Sequence, residues 1–124
     1  MKQRPAIRKD PCSRLPRRLR PGRTDKPTAI AVMEALAALD GSADGIARNL
    51  KRWGIRGRRE SPVRCPVAQY LTAIWPTSQG RVLVGGRHVW VDGINVETPT
   101  PIASFIMYFD GGNYPYLYWI GGTS

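Results

Sequence analysis

Arginine and lysine are the residues whose number and spacing most clearly suggest a chemical role in this sequence, and they concentrate in two segments. The first 27 residues carry ten Lys or Arg side chains against two acids, whereas the remaining 97 carry nine against seven. A second concentration, residues 55–64, has four arginines and one glutamate. Guanidinium groups match phosphate oxygens and the acceptor edge of guanine. Both segments therefore predict contacts with an anionic partner, DNA or RNA first of all.

The N-terminal segment, residues 1–27, is predicted to be an extended basic arm. Prolines recur along it at almost even spacing and prevent a helix of useful length. The arm residues predicted to contact nucleic acid are Arg4, Arg8, Lys9, Arg14, Arg17, Arg18, Arg20 and Arg23. Those of the second segment, the arginine loop, are Arg56, Arg58, Arg59 and Arg64.

The sequence shows no motif typical of catalysis or of cofactor binding. Cys12 and Cys65 form neither a CxxC pair nor a cluster with histidine, so a metal site is not expected. His88, the single histidine, is predicted to face Glu97 across two strands, without a nucleophile beside the pair. Cys65 is either a thiolate made acidic by a helix start and Arg64, or a small buried residue. We expect a protein without enzymatic activity, metal or cofactor.

The hydropathy of the chain predicts a cytoplasmic protein. The basic start is not followed by an apolar stretch of about seven to fifteen residues, as a secretory signal would require. No apolar run approaches the roughly 18 residues of a membrane span. We therefore expect no membrane partner.

Apolar residues at helical spacing predict four helices. Ser42 and Thr100 are the expected N-caps of the second and fourth, and Pro66 fits the first turn of the third. The predicted helices span residues 29–40, 43–53, 66–75 and 101–110.

Residues 81–98 change to an alternating period, which predicts a three-stranded antiparallel meander. Two-residue loops at Gly85-Gly86 and Asp92-Gly93 would set the register of its hairpins. That register places Val89 between Val82 and Val96 and puts six apolar residues on one face. They are Val82, Val84, Val89, Val91, Ile94 and Val96.

The opposite face of the meander would carry Arg81 and Trp90. These two side chains would form a platform for a nucleobase, as in proteins that bind single strands. The alternative is that a helix covers Trp90, since a three-stranded sheet needs cover on at least one face. The pattern leaves both interpretations open.

The predicted fold class is α+β, with three N-terminal helices, a three-stranded antiparallel meander, one C-terminal helix and the basic arm. Residues 28–112 would form the domain. The order of second helix, arginine loop and third helix is compatible with a helix-turn-helix. The spacing argues against this motif, because twelve residues separate Trp53 from Pro66, whereas the turn of a helix-turn-helix has about three or four. The other interpretations are a basic loop that contacts phosphate and a solvated or internally paired loop.

The last segment, residues 113–124, is predicted to be an aromatic tail. Either it docks back on the domain as an extended segment or it is a contact surface for a partner. The residues predicted to bind a partner are Tyr114, Tyr116, Tyr118 and Trp119.

A pattern across residues 46–118 resembles small uncharacterised proteins of actinobacteria and their bacteriophages. It comprises the GIRG turn at 54–57, the Cys65-Pro66 helix start with Tyr70-Leu71, and an aromatic helix that ends before Tyr114-Pro115. No activity is assigned to that set. The resemblance implies a genome context and a fold, and leaves the arm and the last aromatic residues outside it.

Two hypotheses of function follow from these features. The first is a non-enzymatic, nucleic-acid-associated protein of a phage or an actinobacterial cell, whose arm and arginine loop bind phosphates of DNA or RNA. The alternative is a protein-interaction module that docks into a large protein or ribonucleoprotein assembly, such as a virion, a ribosome or a host polymerase, through its arm and aromatic C terminus.

Overall fold

A computed structural model of the chain describes residues 26–118, and every structural statement below refers to them. The eight basic residues predicted in the arm, together with Cys12 and Trp119, lie outside the described residues.

The first two helices form at the predicted positions and differ in their ends. Helix α1 spans Ala29–Ala37, and Thr28 caps it by accepting a hydrogen bond from the Ala31 amide at 3.1 Å. It ends three residues earlier than predicted. Helix α2 spans Ala43–Arg52, and its predicted cap Ser42 accepts the Gly45 N–H at 3.1 Å. A side chain oxygen at the N-cap satisfies an amide that has no partner inside the helix, which is why both helices begin there.

Helix α3 spans Pro66–Ile74 and lies in the middle of the core. Its Tyr70 is fully buried and donates a 2.6 Å hydrogen bond to the carbonyl of Ala35 in α1. The Tyr70 ring also stacks on Trp53, just after α2, with centroids 5.8 Å apart. One side chain thus fixes the mutual positions of three helices.

The meander consists of β1 (Val82–Val84), β2 (His88–Val91) and β3 (Ile94–Glu97), antiparallel and in that order. Its second hairpin has the predicted register, with Val89 opposite Val96 and Val91 opposite Ile94. This confirms the turn at Asp92-Gly93, where both residues have positive φ.

The predicted register of the first hairpin was wrong by two residues. Val84 pairs with Val89, and Gly85 donates a 2.9 Å hydrogen bond to the His88 carbonyl. The turn therefore centres on Gly86 and Arg87 rather than on Gly85-Gly86. This pairing places valine opposite buried valine, whereas the predicted one placed Val84 opposite an exposed arginine. Because strands alternate with a period of two, the shift leaves every side chain on its predicted face.

Helix α4 spans Thr100–Asp110 and packs on α2. It begins after Pro99 rather than after Thr100, one residue earlier than predicted. The apolar face of the sheet and the four helices enclose one core, so the predicted α+β class is confirmed. Short 3₁₀ turns, Pro76–Ser78 and Pro115–Leu117, follow α3 and α4.

The aromatic segment after α4 folds back onto the domain as far as Tyr118. Leu117 is fully buried, and Tyr114 stacks on Phe105 at 5.6 Å while Tyr118 meets Phe109 edge-on at 5.5 Å. Of the two predicted interpretations, docking is therefore the one observed for residues 114–118.

Truncating Leu117 to alanine should lower the free energy of unfolding by about 2–5 kcal/mol, because the change leaves a cavity in a packed core. Urea denaturation of the full chain measures this. Met107 is 62% exposed on α4, so Met107→Ala serves as the control and should change stability by less than about 0.5 kcal/mol. Equal effects of the two substitutions would show that the segment does not dock.

Candidate nucleic-acid interface

The arginine loop, between α2 and α3, is closed by one backbone hydrogen bond and fixed to the C-terminal segment by another. The Gly57 N–H donates to the Leu117 carbonyl at 2.9 Å, and the Arg58 N–H donates to the Arg64 carbonyl at 2.8 Å. A side chain at position 57 would collide with the backbone of residues 64–66, since its Cβ would lie 2.5 Å from the Arg64 oxygen. Only glycine permits this approach.

A second anchor holds the tip of the loop to the end of α4. Glu60 adopts the left-handed conformation with φ of 57°, and its N–H donates to the Asp110 carboxylate at 2.7 Å. Ser61 accepts the Arg64 N–H at 3.1 Å and closes the turn. The loop is therefore positioned at both ends, and its arginine side chains project from a fixed backbone.

The C-terminal segment is held in turn by Tyr114. Its hydroxyl donates to the Asp44 carboxylate of α2 at 2.6 Å. Partial burial and this hydrogen bond to an acid raise the pKa of Tyr114 to about 12, so the donor stays protonated at neutral pH. The segment is thus fixed to α2 as well as to α4.

Cations and aromatic rings meet where the loop and the C-terminal segment join. The ammonium of Lys51 lies 5.1 Å from the centroid of the Tyr116 ring, and the guanidinium of Arg59 lies 5.4 Å from that of Tyr118. Arg56 donates to the Tyr118 carbonyl at 3.5 Å. We call these five residues the cationic–aromatic surface. The sequence predicted a phosphate-binding loop and a partner-binding tail, and the structure brings the two together.

The remaining predicted residues of the loop and the tail differ in exposure, and Trp119 lies outside the described residues. Arg58 and Arg64 are exposed. Of the predicted tail residues, Tyr116 is 41% exposed, whereas Tyr114 and Tyr118 are half-buried. Tyr116 is therefore the described tyrosine of the tail with the most accessible ring.

A helix-turn-helix is contradicted by the burial of α3. The residues Pro66, Val67, Ala68, Tyr70, Leu71 and Ile74 are buried, and the other three of this helix are half-buried. A recognition helix must present an exposed polar face to the major groove. Helix α3 belongs to the core instead, and the arginines lie in the loop before it.

The hypothesis of an acidic thiolate at Cys65 was wrong. Cys65 is 3% exposed, and burial raises the pKa of its thiol to about 11 despite hydrogen bonds from backbone amides, with the Asp110 charge acting in the same direction. The thiol is thus a small core residue, as the alternative interpretation held.

His88 does pair with Glu97 in the backbone register. Its Nδ1, however, lies 3.1 Å from the Asn95 side-chain oxygen, and its ring packs against Trp90 with centroids 5.6 Å apart. Within residues 26–118, three or more His, Cys, Asp or Glu side chains nowhere gather in a group that could hold a metal ion.

Comparison with known proteins found no matching family model, curated protein or solved structure. The resemblance to actinobacterial and phage proteins therefore stays a prediction. None of the helices between residues 26 and 118 has the length and apolar character needed to cross a membrane.

Sequence reasoning missed the roles of Lys51 and Gly57. Lys51 lay on the polar face of a predicted helix, and its partner Tyr116 is 65 positions away, so no local pattern joined them. Gly57 stood inside an arginine-rich stretch and indicated only a turn. Its approach to Leu117 is a contact between segments 60 residues apart, which periodicity does not encode.

Gly57→Ala should lower the free energy of unfolding by about 1–3 kcal/mol, as overpacking does, because residues 64–66 cannot retreat without breaking the loop's hydrogen bonds. Chemical denaturation of the full chain tests this. A Cβ at Gly86 meets nothing within 4 Å, so Gly86→Ala is the matched control and should be nearly neutral. A neutral Gly57→Ala would contradict the close approach.

Proposed function

We propose that this protein is a non-enzymatic nucleic-acid-binding protein that holds DNA or RNA between its basic arm and its cationic–aromatic surface. The observation that carries the proposal is the meeting of Lys51, Arg56 and Arg59 with exposed or half-buried tyrosines on one fixed surface. Cationic side chains bind the phosphates of a nucleic acid, and aromatic rings stack on its nucleobases.

Two acids near this surface, Asp44 and Asp110, accept hydrogen bonds within the protein, which supports the proposal, whereas Glu60 is exposed in the loop. Asp44 accepts the Tyr114 hydroxyl, and Asp110 accepts the Glu60 N–H. Their charges are directed at internal donors, whereas the neighbouring arginines are exposed. The surface can therefore attract an anionic chain, and salt screens such attraction.

The arm extends this binding to a longer stretch of nucleic acid. Residues 1–27 contribute a net formal charge of +8 of the +10 of the chain, which is ten basic minus two acidic side chains. The arm supplies affinity without reading sequence. A cytoplasmic location in an actinobacterial or phage-infected cell fits this proposal.

A specific feature favours the second candidate function, docking into a large assembly. Met107 and Tyr108 of α4 are 62% and 44% exposed. Together with Tyr116 they are side chains of the kinds that anchor protein interfaces. The two candidates differ in their dependence on salt and on arginine charge.

Replacing Arg56 and Arg59 by glutamine in the full chain should flatten the salt dependence of binding. Two lost phosphate contacts lower the slope of log K against log salt by about 1.8 on duplex DNA and about 1.4 on single strands. Fluorescence anisotropy with labelled oligonucleotides across a salt series gives both slopes.

The matched control replaces both residues by lysine, which keeps the charges and loses the guanidinium geometry. It should retain the wild-type slope with weaker affinity. A wild-type chain that binds neither DNA nor RNA at physiological salt would reject the proposal and leave the assembly candidate.

A further inference from the structure

The outer face of the sheet holds an open depression of about 430 Å³, separate from the cationic–aromatic surface. Its lining is Val63, Gly80, Arg81, Leu83, Trp90 and Gly93. Three of these are large apolar side chains with substantial exposure, Val63 at 46%, Leu83 at 41% and Trp90 at 39%. In the described part of the chain, no helix covers Trp90, so the alternative that a helix buries it was wrong. The volume is in the range of sites for small planar ligands.

Arg81 stands at the rim of this depression and is held in place by the protein. Its Nε donates to Asp92 at 2.8 Å, and its Nη2 donates to the Thr77 carbonyl at 2.7 Å. The side chain is nevertheless 59% exposed, and a guanidinium has five N–H donors. The donors that Asp92 and Thr77 leave over can bind a ligand without reorganising the side chain.

The carboxylate that holds Arg81 is itself hydrogen-bonded to a buried residue. Asp92 also accepts a 3.4 Å hydrogen bond from Ser78, whose side chain is fully buried. The Asp92-Gly93 turn would form equally well with asparagine in the first position. The turn geometry alone therefore does not explain a carboxylate that orients and neutralises one arginine beside an exposed tryptophan.

Trp90 has a defined orientation on the strand. Leu83 lies opposite it on β1, and the His88 ring packs beside it with an interplanar angle of 37°. Glu97 lies opposite His88 and Arg81 lies near the Asp92-Gly93 turn, so Glu97 is at the other end of the sheet. The end that holds the depression carries the Arg81–Asp92 ion pair.

We propose that this depression binds one unpaired base of a single-stranded nucleic acid. The base stacks on Trp90 beside Leu83 and Val63, and Arg81 binds the adjoining phosphate. This inference rests on the proposed function for the class of ligand, and it adds a preference for single strands. Paired bases are stacked within a duplex and cannot lie flat on Trp90.

The remaining N–H donors of Arg81 favour this occupant over an apolar protein partner. A fixed, exposed arginine at the rim of an apolar depression provides one contact for a phosphate and one for a ring. A second copy of the chain would bring the same arginine and the chain's net charge of +10 to the contact, where like charges repel.

The test compares single-stranded oligothymidine with a hairpin duplex, using the full chain and anisotropy. Trp90→Leu keeps an apolar side chain and loses the aromatic face, so it should weaken single-strand binding by about 5- to 100-fold and leave duplex binding unchanged. Trp90→Phe, the matched control, should retain most of the single-strand affinity.

A second measurement stays informative if Trp90→Leu fails to fold. Trp53 and Trp75 are buried, so in a Trp119→Phe chain the exposed tryptophan is Trp90, and its fluorescence should be quenched by oligothymidine.

Single-strand binding with neither quenching nor a loss in Trp90→Leu would overturn this inference and leave the proposed function intact. A wild-type chain that binds no nucleic acid would overturn both. A dimer that Trp90→Leu dissociates, with unchanged single-strand binding, would assign the face to a second copy instead.

Discussion

The backbone hydrogen bond between Gly57 and Leu117 is the constraint on which the candidate surface depends. It joins a charged loop, which has little apolar surface of its own to bury, to a segment anchored by a fully buried leucine. Without it the loop would lose its backbone contact with the segment that carries Tyr118, over which Arg59 lies. The packing energy of the core thereby fixes the position of exposed arginines, which bury too little to order themselves.

This arrangement also lets several cations lie side by side on a small domain. Two acids near the surface, Asp44 and Asp110, accept hydrogen bonds that hold the fold together. Their negative charges reduce the repulsion between the cations, while their oxygens accept hydrogen bonds from Tyr114 and Glu60. The tyrosine rings lie under Lys51 and Arg59, where their negative faces stabilise the positive charge further. The two acidic side chains thus stabilise the fold, and the basic side chains are available to a ligand.

The sequence was sufficient to predict the elements that local rules determine. The Ser42 cap, the Pro66 start, the Asp92-Gly93 turn and the valine face follow from spacing and turn chemistry, whereas the predicted Thr100 cap was wrong. The first hairpin was wrong because three consecutive candidates, from Gly85 to Arg87, all permit a tight turn, and valine pairing decided between them. The candidate surface was predicted only as two separate parts, since contacts such as Gly57 with Leu117 join distant segments and leave no periodic signal.

The most direct test of one shared surface is a titration of the ¹⁵N-labelled full chain with a short oligonucleotide, followed by amide chemical shifts. The account predicts that the amides of residues 56–64, apart from Pro62, and of residues 116–118 shift together, with a common midpoint, because one rigid surface binds the strand. Shifts confined to the arm, or separate midpoints for the loop and the C-terminal segment, would contradict it.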